Sequence, residues 1–392
     1  MAADGHDARP QLIREVVARE RSAVAGVEVI TPAFWCGKRV LLTGHTGFKG
    51  AWLASWLVKL GAKVHGYSLP PSYSPNVYGA SGIVASIEET VGDIRSIDAL
   101  RTSITCFQPE VIFHLAAQPL VRFSYEHPVE TFETNVMGTV NLLQAARSCR
   151  ELLAVIVVTT DKCYQNRELK IGYTESDPLG GHDPYSASKA CAELVAQSWY
   201  QSFLSQSDCE SRELFGLATA RAGNVIGGGD MAVDRVVPDV LRSVTADSSV
   251  HIRNPNAIRP WQYVLDPLGG YLCLAESVAN EPRLYSGPWN FGPGEDDVQP
   301  VGRVVERLLT RLGADTRWSY RPEPSLHETH SLLLDCSKAK AELGWSPQYS
   351  LEEALESVVR WQDLPMEEAS HRGFIEMEID RYMNRVGSEA EC

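Results

Sequence analysis

The sequence lacks several features that would each place it in a particular class of protein. Its nine cysteines stand singly, with no CxxC pair and no histidine cluster beside them, which argues against a zinc site and a disulfide framework. It has no run of about 18 apolar residues, and its charged N-terminus has no apolar centre, which argues against a membrane span and a secretory signal. We therefore expect a cytoplasmic protein that binds no metal and does not enter a membrane.

Positive charge is also scarce, since 36 lysines and arginines face 50 aspartates and glutamates, for a net charge of −14. Such a surface repels nucleic acid and anionic membranes, so no nucleic-acid partner is expected. An anionic ligand would have to be held by a few placed cations or by backbone N–H groups. The 392 residues, 44% of them hydrophobic, are enough for one large or two medium domains.

From Gly37 onward the sequence alternates between short β-rich runs and longer amphipathic stretches. Six strands are predicted at RVLLTG, AKVHGYSL, ASIEETVGDI, EVIFHLAA, LLAVIVVTT and LFGLATARAGNVIG, with helices between them. This alternation is typical of parallel pairing with right-handed crossovers, so we predict an α/β fold with a doubly wound parallel sheet. Ligands of such a sheet bind at the carboxyl ends of its strands.

The segment TGHTGFKG places Gly44, Gly47 and Gly50 directly after the first strand and at the start of a helix. Small residues are needed where a pyrophosphate approaches the backbone and a helix N-terminus. A plain tight turn would explain the glycines alone, but their place between strand and helix favours a dinucleotide site. Lys49 could add a charge near a phosphate or be a solvated helix residue, and His45 could be only a hydrogen-bonded spacer.

The choice between NAD and NADP depends on the end of the second strand, which reads Gly66-Tyr67-Ser68-Leu69. An NAD site usually has an acid there for the ribose hydroxyls, and an NADP site an arginine for the 2′-phosphate. Neither is present, so NADP is not favoured and NAD is the predicted cofactor. The nearest suitable acid is Asp93, after the third strand, which could reach the adenine or could simply precede a helix.

These patterns predict a division of the chain. Residues 1–34 are interpreted as an N-terminal extension with a helix over residues 11–21, and residues 35–225 as a Rossmann-type NAD-binding domain. After Gly229 the rhythm breaks and Pro, Arg, Trp and Asn become frequent. Residues 226–365 are therefore predicted to be mainly a smaller C-terminal substrate-binding domain, with some segments returning to the sheet. Residues 366–392 are expected to be a C-terminal tail.

Two residues of the segment YSASKACAEL, Tyr185 and Lys189, lie four residues apart and therefore on one face of a helix. An unperturbed tyrosine, with a pKa of about 10, is a poor base near neutral pH. A neighbouring ammonium group favours the phenolate, which can take a hydroxyl proton while hydride leaves the same carbon. On a surface helix the pair would mean little, but in a dinucleotide fold it predicts an oxidation step.

Several segments together carry a family resemblance that covers the chain from about Phe34 onward. They are FWCGKRVLLTGHTGFKGAWL, HLAAQPLVRFSY, VVTTDKCYQN, YSASKACAEL, RAGNVIGGGD, IRNPNAIRPWQYV and LDCSKAKAELGW. With them the sequence resembles the extended short-chain dehydrogenases/reductases, and among these the CDP-glucose 4,6-dehydratases. The glycine loop and the Tyr-Lys pair mark only the superfamily. The triplet Thr160-Asp161-Lys162 is more selective, because the related dehydratases of TDP- and GDP-sugars have Glu at its third position.

The resemblance implies a lyase that converts CDP-glucose to CDP-4-keto-6-deoxyglucose and water, with hydride passing to NAD and back. Tyr185 would take the proton of the sugar 4-hydroxyl, and Thr160 would bond to the same oxygen. Asp161 would protonate the leaving 6-hydroxyl, while Lys162, or a group that it positions, would take the proton from position 5. Without this context, Asp161 and Lys162 would be an exposed ion pair at a strand end. The product would serve deoxysugar biosynthesis, as for lipopolysaccharide O-antigen.

The same resemblance assigns binding residues. The diphosphate and the sugar would be held by Arg122, Asn224, Arg235 and Arg259, each of which could also be an ordinary surface or interdomain residue. The predicted cofactor-binding residues are Gly44, His45, Gly47, Phe48, Lys49, Gly50, Asp93, Ile94, Leu115, Ala116, Ala117, Tyr185 and Lys189.

Two departures from the family pattern, Met231 in place of Trp and Tyr263 in place of His, adjoin the predicted substrate region and leave base recognition open. A dehydratase of TDP- or GDP-sugars is therefore an alternative. A 4-epimerase would use the Tyr-Lys pair but not the acid Asp161, and a non-catalytic dinucleotide sensor would need neither. By family analogy, the helices near residues 130–149 and 185–203 pair into the four-helix interface of a homodimer, or of a tetramer.

Overall fold

The computed structural model of the chain describes residues 30–168, 171–205, 215–314, 318–321 and 331–389. The helix predicted over residues 11–21 lies outside them, as does most of the N-terminal extension. The last residues of that extension are packed against the fold. Ile30 is buried, and the Thr31 amide and the Trp35 indole both donate to the carboxylate of Glu276.

Twelve strands are formed within the described residues. They are β1 Arg39–Thr43, β2 Lys63–Ser68, β3 Glu88–Val91, β4 Val111–His114, β5 Ala154–Val158, β6 Gly216–Ala222, β7 Asn224–Ile226, β8 Val250–Ile252, β9 Ile258–Tyr263, β10 Gly287–Phe291, β11 Val298–Pro300 and β12 Trp318–Tyr320. Seven of them form one sheet in the order β10-β6-β5-β4-β1-β2-β3, and every pairing in it is parallel. This confirms the predicted Rossmann-type, doubly wound α/β fold.

Fifteen α-helices, several of which cover the two faces of this sheet, are also formed within the described residues. They are α1 Pro32–Trp35, α2 Phe48–Lys59, α3 Val77–Ser81, α4 Ile97–Phe107, α5 Val121–Glu126, α6 Pro128–Phe132, α7 Gly138–Ala146, α8 Pro184–Trp199, α9 Val236–Thr245, α10 Leu265–Asn280, α11 Pro282–Tyr285, α12 Val301–Arg311, α13 Ser337–Leu343, α14 Leu351–Gln362 and α15 Glu368–Glu389. One face packs on α2 and α10, and the other on α4, α7 and α8. The strand β5 is therefore buried at every position, which explains its unbroken apolar sequence AVIVV.

The chain from Asn224 onward contributes to more than one layer. Strands β7, β9 and β11 form a small separate sheet, β8 pairs with β12, and α9 packs on β8 and α12. Strand β10 instead joins the main sheet beside β6, and α10 packs on β5 and β6. This return is necessary because β6 would otherwise present an unpaired edge.

The residues from 366 onward, expected to be a tail, contain the packed helix α15. It lies against α2 and α3, and its buried face consists of Phe374, Ile375, Ile379, Tyr382 and Val386. An apolar stripe of this width requires a partner surface, which the helix finds in the main core.

Three findings concern only the ranges that the structure describes. None of the helices there is both long and apolar enough to cross a bilayer. No group of three or more His, Cys, Asp or Glu side chains there could hold a metal ion. The seven cysteines within these ranges are free thiols.

Candidate active site

A cavity of about 940 Å³ lies at the carboxyl ends of the central strands. Its walls include residues that follow β1, β4, β5 and β6, among them Phe48, Leu115, Thr160 and Asn224. Another wall comes from α9, β8 and the start of α12, which belong to the chain beyond Ile226. One cavity therefore brings together predicted cofactor, catalytic and substrate residues.

The glycine loop packs backbone against backbone. Gly44 has a φ of +77°, and a Cβ there would lie 2.7 Å from the Ala116 nitrogen. At Gly50, in the first turn of α2, a Cβ would overlap the carbonyl oxygen of Gly44. Larger residues are therefore excluded at both positions, and the start of α2 is held directly against the loop. Phe48 and Lys49, from the same turn, line the cavity.

The imidazole of His45 is buried between β2 and β3. It lies against Gly66, where a Cβ would come within 2.5 Å of the ring, and its Nε2 is 3.0 Å from Oε2 of Glu89. The same carboxylate accepts a hydrogen bond of 2.5 Å from the Tyr78 hydroxyl. An acid is therefore present near the end of β2 after all. The sequence did not reveal it, because Glu89 reaches this point through the register of β3, in which it is paired with Gly66.

Asp93, the acid that was predicted for the adenine, is bound to its near neighbour Arg95. The Nε and NH2 groups of Arg95 lie 2.9 and 2.6 Å from the same carboxylate oxygen. This side-chain bond lowers the pKa of Asp93 below the ordinary value, against the opposing effect of burial. Asp93 is thus an ionised acceptor, with the Tyr67 hydroxyl bonded to its carbonyl oxygen.

Other predicted cofactor residues line the cavity or support its walls. Leu115 and Ala117 line the cavity after β4, and the backbone of Ala116 between them contacts Gly44. Ile94 is buried, and its side chain fills the space that a Cβ on Gly138 would need.

Strand β5 ends directly at three of the predicted catalytic residues. The Thr160 hydroxyl donates to Oδ1 of Asp161 at 3.0 Å and accepts from the Lys162 amide at 3.3 Å. The other carboxylate oxygen of Asp161, Oδ2, is buried and has no hydrogen-bond partner among the described residues. Burial raises the pKa of Asp161, although Lys162 and Arg259 oppose this with their charges. Asp161 therefore keeps a proton to higher pH than an ordinary aspartate, as an acid catalyst must.

Tyr185 and Lys189 face the cavity from the first two turns of α8. Burial raises the pKa of Tyr185 to about 12, while a hydrogen bond with Thr160 and the charge of Arg235 act to lower it. The Lys189 ammonium donates to the carbonyl oxygen of Val158 at 3.1 Å, and burial lowers its pKa to about 8. The predicted catalytic residues of β5 and α8 are thus brought to one place.

A buried ion pair lies one turn beyond Lys189. Oε2 of Glu193 is 2.7 Å from NH2 of Arg221 in β6, and both side chains are 3% exposed. The same carboxylate accepts from the Thr159 hydroxyl, and its charge raises the pKa of Lys189. The pair therefore joins α8 to the ends of β5 and β6. Sequence reasoning missed Glu193, although the four-residue steps from Tyr185 through Lys189 continue to it.

Lys49 is partly buried and lies close to the catalytic side chains. Its Nζ is 3.5 Å from the Tyr271 hydroxyl. Burial lowers its pKa to about 7, and the charges of Lys189 and Arg235 act in the same direction. Lys49 is therefore not an ordinary solvated residue of a surface helix.

All four predicted substrate residues line the cavity, and two of them form ion pairs with aspartates of the cavity wall. Arg235 is ion-paired with Asp230 at 2.9 Å, and Arg122 with Asp234 at 3.0 Å. Arg259 is close enough to Asp161 for its charge to lower the pKa of that carboxyl. These cations compensate locally for the negative charge of the whole chain.

The two departures from the family pattern differ in where they lie. Met231 is half-buried in the loop before α9, where its carbonyl oxygen accepts from Arg242 at 2.9 Å. Tyr263 is fully buried, and its hydroxyl lies 2.9 Å from Glu378 of α15 and 2.8 Å from Ser357 of α14. The expectation that Tyr263 adjoins the substrate region is wrong for its side chain, because the C-terminal helix supplies a buried carboxylate that requires a donor.

Comparisons with known proteins agree with this geometry. Residues 41–285 match the model of a family described as GDP-mannose 4,6 dehydratase. The chain is 50% identical to the CDP-glucose 4,6-dehydratase of Salmonella typhimurium over 333 residues, which cover 85% of this chain and 92% of that relative. It is 24% identical to the dTDP-glucose 4,6-dehydratase of Haemophilus influenzae, over 82% of this chain and 97% of that protein.

Solved structures share the fold at lower identity. An epimerase from Methanothermobacter thermautotrophicus has a TM-score of 0.71 at 22% identity, covering 84% of this chain and 93% of that one. The dTDP-glucose 4,6-dehydratase of Bacillus anthracis, solved in complex with NAD, has a TM-score of 0.69 at 22% identity. The match covers 83% of this chain and 97% of that one. Both likenesses concern the arrangement of the sheet and its helices.

Proposed function

Because the chain belongs to the GDP-mannose 4,6 dehydratase family, we propose that it is a nucleotide-sugar 4,6-dehydratase whose substrate is CDP-glucose. The product is CDP-4-keto-6-deoxyglucose, formed with the loss of one water. The choice of CDP-glucose is supported by 50% identity to a CDP-glucose 4,6-dehydratase, against 24% to a dTDP-glucose enzyme. It is also supported by Lys162. The dehydratases of TDP- and GDP-sugars, which the chain resembles less closely, have Glu at the corresponding position.

The glycine loop fits a dinucleotide, and NAD is the cofactor that we assign. The backbone crowding at Gly44 and Gly50 holds the start of α2 against the loop, so that the N–H groups and dipole of the helix can meet a pyrophosphate. At the end of β2 the Ser68 hydroxyl is 2.8 Å from that of Thr46, and no arginine stands there for a 2′-phosphate. When bound, NAD accepts a hydride from sugar carbon 4 and returns it to carbon 6.

In the oxidation step, Tyr185 takes the proton of the sugar 4-hydroxyl. Burial alone would hold Tyr185 as a neutral phenol, so the step depends on the groups that favour the phenolate, Thr160 and Arg235. The Thr160 hydroxyl, whose single proton is bonded to Asp161 in the structure, turns on substrate binding to donate to the same oxygen of the sugar. Lys189 contributes a positive charge from the next turn of the helix, held by the Val158 carbonyl.

The elimination step requires an acid and a base on the oxidised sugar. A ketone at position 4 acidifies the proton at position 5, and Lys162 in its uncharged form, or a group that Lys162 positions, removes that proton. Asp161 protonates the 6-hydroxyl, which then leaves as water. The raised pKa of Asp161 and its unpartnered Oδ2 suit this role, because a buried neutral carboxyl can donate where an ionised one cannot.

The observation that carries the proposal is the presence of Asp161 in the same cavity as Tyr185 and Lys189. A dehydrogenase or an epimerase needs only the latter two, since neither reaction expels a hydroxyl group. Of these three reactions, only the elimination of water needs an acid here as the proton donor to a leaving hydroxyl.

We assign the cofactor to the domain of residues 35–225 and the nucleotide to the domain of mainly residues 226–365. Asn224, Arg235 and Arg259 hold the diphosphate, and Arg122 lies near the sugar. Two arginines on one diphosphate provide charge-assisted hydrogen bonds, which the net charge of −14 makes necessary.

The proposal is tested by incubating the purified protein with NAD and, separately, CDP-, TDP-, GDP- and UDP-glucose. Alkali then reveals a 4-keto-6-deoxy sugar by its ultraviolet absorbance. We expect absorbance with CDP-glucose, and none from a Tyr185→Phe control. A signal with only another nucleotide would overturn the choice of CDP. No signal with any sugar, despite tight NAD binding, would instead favour a sensor.

The chain is also proposed to act in the cytoplasm as a homodimer, or as a tetramer built from such dimers, in deoxysugar biosynthesis for lipopolysaccharide O-antigen. Support for the assembly comes from α6 to α8, the helices of the family's four-helix interface. They leave apolar side chains exposed at Val129, Met137, Leu194 and, just after α8, Phe203. An apolar surface of this kind is expected to pack against a second copy.

A further inference from the structure

One wall of the cavity carries an aspartate and an arginine that none of the proposed roles uses. Asp234 precedes α9, Arg253 follows β8, and NH1 of Arg253 is 3.8 Å from Oδ1 of Asp234. Both side chains line the cavity and are about one-third exposed. The neighbouring Arg235 lies within electrostatic reach of Tyr185. Asp234 is therefore the direct sequence neighbour of an arginine whose charge acts on the catalytic Tyr185.

The elements around the pair contribute both polar and apolar side chains to the cavity. Asp239, His251 and Asn254 are polar, whereas Val237, Val240, Ile252, Ala257 and Val305 are apolar and buried. They come from α9, β8, the loop before β9 and α12. Apolar walls with a few convergent polar groups suit a flat, partly polar ligand such as a nucleobase. With the sugar at Tyr185 and the diphosphate at the arginines, the base is the part of the substrate left for this wall.

We propose that Asp234 and Arg253 read the edge of the base and select cytosine over uracil and thymine. This inference rests on the proposed function. Cytosine presents an amino donor at position 4 and an acceptor at N3, whereas uracil and thymine present an acceptor and a donor at the same two places. The Asp234 carboxylate only accepts and the Arg253 guanidinium only donates, so together they complement cytosine. Against uracil, both contacts are mismatched.

The direction of the Asp234 side chain is fixed by its surroundings. Its backbone has a φ of +60°, in the left-handed region that few non-glycine residues adopt. Its Oδ1 is also 3.0 Å from NH1 of Arg122, which lines the same cavity. A carboxylate can accept several hydrogen bonds and a guanidinium can donate five, so groups of these two kinds can pair with each other and also contact a base. The arginines thus orient the acceptor before the base arrives.

The test measures binding to the NAD-loaded protein by calorimetry, with CDP, UDP and the diphosphate of pyrimidin-2-one riboside as probes. The last probe keeps N3 and O2 of cytosine but lacks the 4-amino group. We expect the wild type to bind CDP more tightly than either other probe, by roughly tenfold to a hundredfold. In Asp234→Asn, whose amide can also donate, the CDP-to-UDP ratio should collapse towards one. Asp98→Asn, which removes an exposed aspartate paired with Arg101, is the control and should keep the wild-type ratio.

Two results would overturn the inference. One is an equal loss of CDP and UDP affinity in Asp234→Asn, because the pair would then stabilise the cavity without distinguishing the two bases. The other is equal binding of CDP and the pyrimidinone by the wild type, a comparison that does not depend on the folding of any variant. Turnover of CDP-glucose is measured in parallel. Turnover without base discrimination overturns this inference alone, whereas discrimination without turnover contradicts the proposed function alone.

Discussion

At the scale of single residues, the candidate site depends on opposing effects of burial. Burial raises the pKa of Asp161 and of Tyr185, and it lowers the pKa of Lys189. The same physical cause therefore keeps a proton on Asp161 to higher pH, as a proton donor requires, and holds Tyr185 as a neutral phenol. Nearby groups then decide which residue gives up a proton, since Thr160 and Arg235 favour the phenolate of Tyr185.

The role of Asp161 predicts an unequal effect on the two steps. Replacement by Asn removes the proton donor but keeps an acceptor for Thr160, so oxidation should continue while elimination slows by roughly a hundredfold or more. In a single turnover with excess enzyme, NADH absorbance should therefore rise and persist. A Tyr185→Phe variant, in which NADH should not form, is the matched control. An equal slowing of NADH formation and of its decay would count against Asp161 as the acid.

The sequence predicted those residues whose positions follow from local spacing. Thr160, Asp161 and Lys162 are consecutive at a strand end, and Tyr185 and Lys189 are four apart on a helix, so local geometry alone brings each group together. Glu89 could not be predicted as the neighbour of His45, because only the register of β3 beside β2 brings it there. Asp234 and Arg253 meet across two elements, and no spacing in the sequence encodes that contact.

At the scale of elements, α8 is joined to the sheet by more than apolar packing. Glu193 binds Arg221 of β6 and Thr159, the residue directly after β5, so that the helix with Tyr185 and Lys189 is fixed to the strand end with Asp161. An ion pair this deeply buried is costly to break from one side. It is therefore suited to holding the proton-transfer groups in register.

Replacement of Glu193 by Gln should change both stability and the pH profile. The free energy of unfolding should fall by about 3–5 kcal/mol, because Arg221 loses its buried partner. Glu193 raises the pKa of Lys189, so its removal should lower that pKa further below about 8. Lysine is charged only below its pKa. The basic limb of the kcat/KM profile should therefore move to lower pH.

This change is measured by urea denaturation and by kcat/KM between neutral and alkaline pH. Glu151→Gln, which removes an exposed glutamate that pairs loosely with Arg39, is the control and should alter neither. A loss of stability with an unmoved basic limb would restrict Glu193 to a structural role.

The central strands and helices were predictable because their apolar patterns are local. Strand β5 reads as a continuous apolar run, and α8 begins at Pro184 after the capping residue Asp183, both of which are signals in the sequence. The place of β10 was not predictable to the residue. It joins β6 only because α10 and α11 carry the chain back across the sheet, which is a property of the assembled fold.

At the scale of the whole molecule, the C-terminal helix connects distant parts of the chain. Glu378 of α15 is fully buried, where it accepts from Tyr263 and pairs with Arg360 of α14. The residue that differs from the family pattern at position 263 is therefore explained by the core and not by the substrate.

Tyr263→Phe should lower the free energy of unfolding by roughly 1–3 kcal/mol, since Glu378 and Ser357 lose a shared hydrogen-bond partner. The KM for the nucleotide sugar should not change. Urea denaturation and steady-state kinetics measure the two effects. Tyr320→Phe, at an exposed position, is the control for loss of a hydroxyl. A raised KM with unchanged stability would mean that Tyr263 meets the substrate.

The assembly can be tested on the exposed apolar residues of the segment from α6 to α8, such as Leu194 of α8. A charge at Leu194, as in Leu194→Glu, should convert the dimer to a monomer in light scattering coupled to size exclusion, because it would be buried without a partner. Met366→Glu, at an exposed site outside these helices, should leave the mass unchanged. An unchanged mass for Leu194→Glu would exclude this face as the interface.

The reaction as a whole is tested most directly by mass spectrometry of the product made from CDP-glucose in deuterium oxide. Hydride moves from carbon 4 to carbon 6 through the cofactor, while the proton removed from carbon 5 is replaced from solvent. The proposed mechanism therefore predicts a CDP-sugar that has lost one water and carries a single deuterium, at carbon 5. A product that keeps the mass of CDP-glucose with carbon 4 inverted, or that gains deuterium at carbon 6, would contradict it.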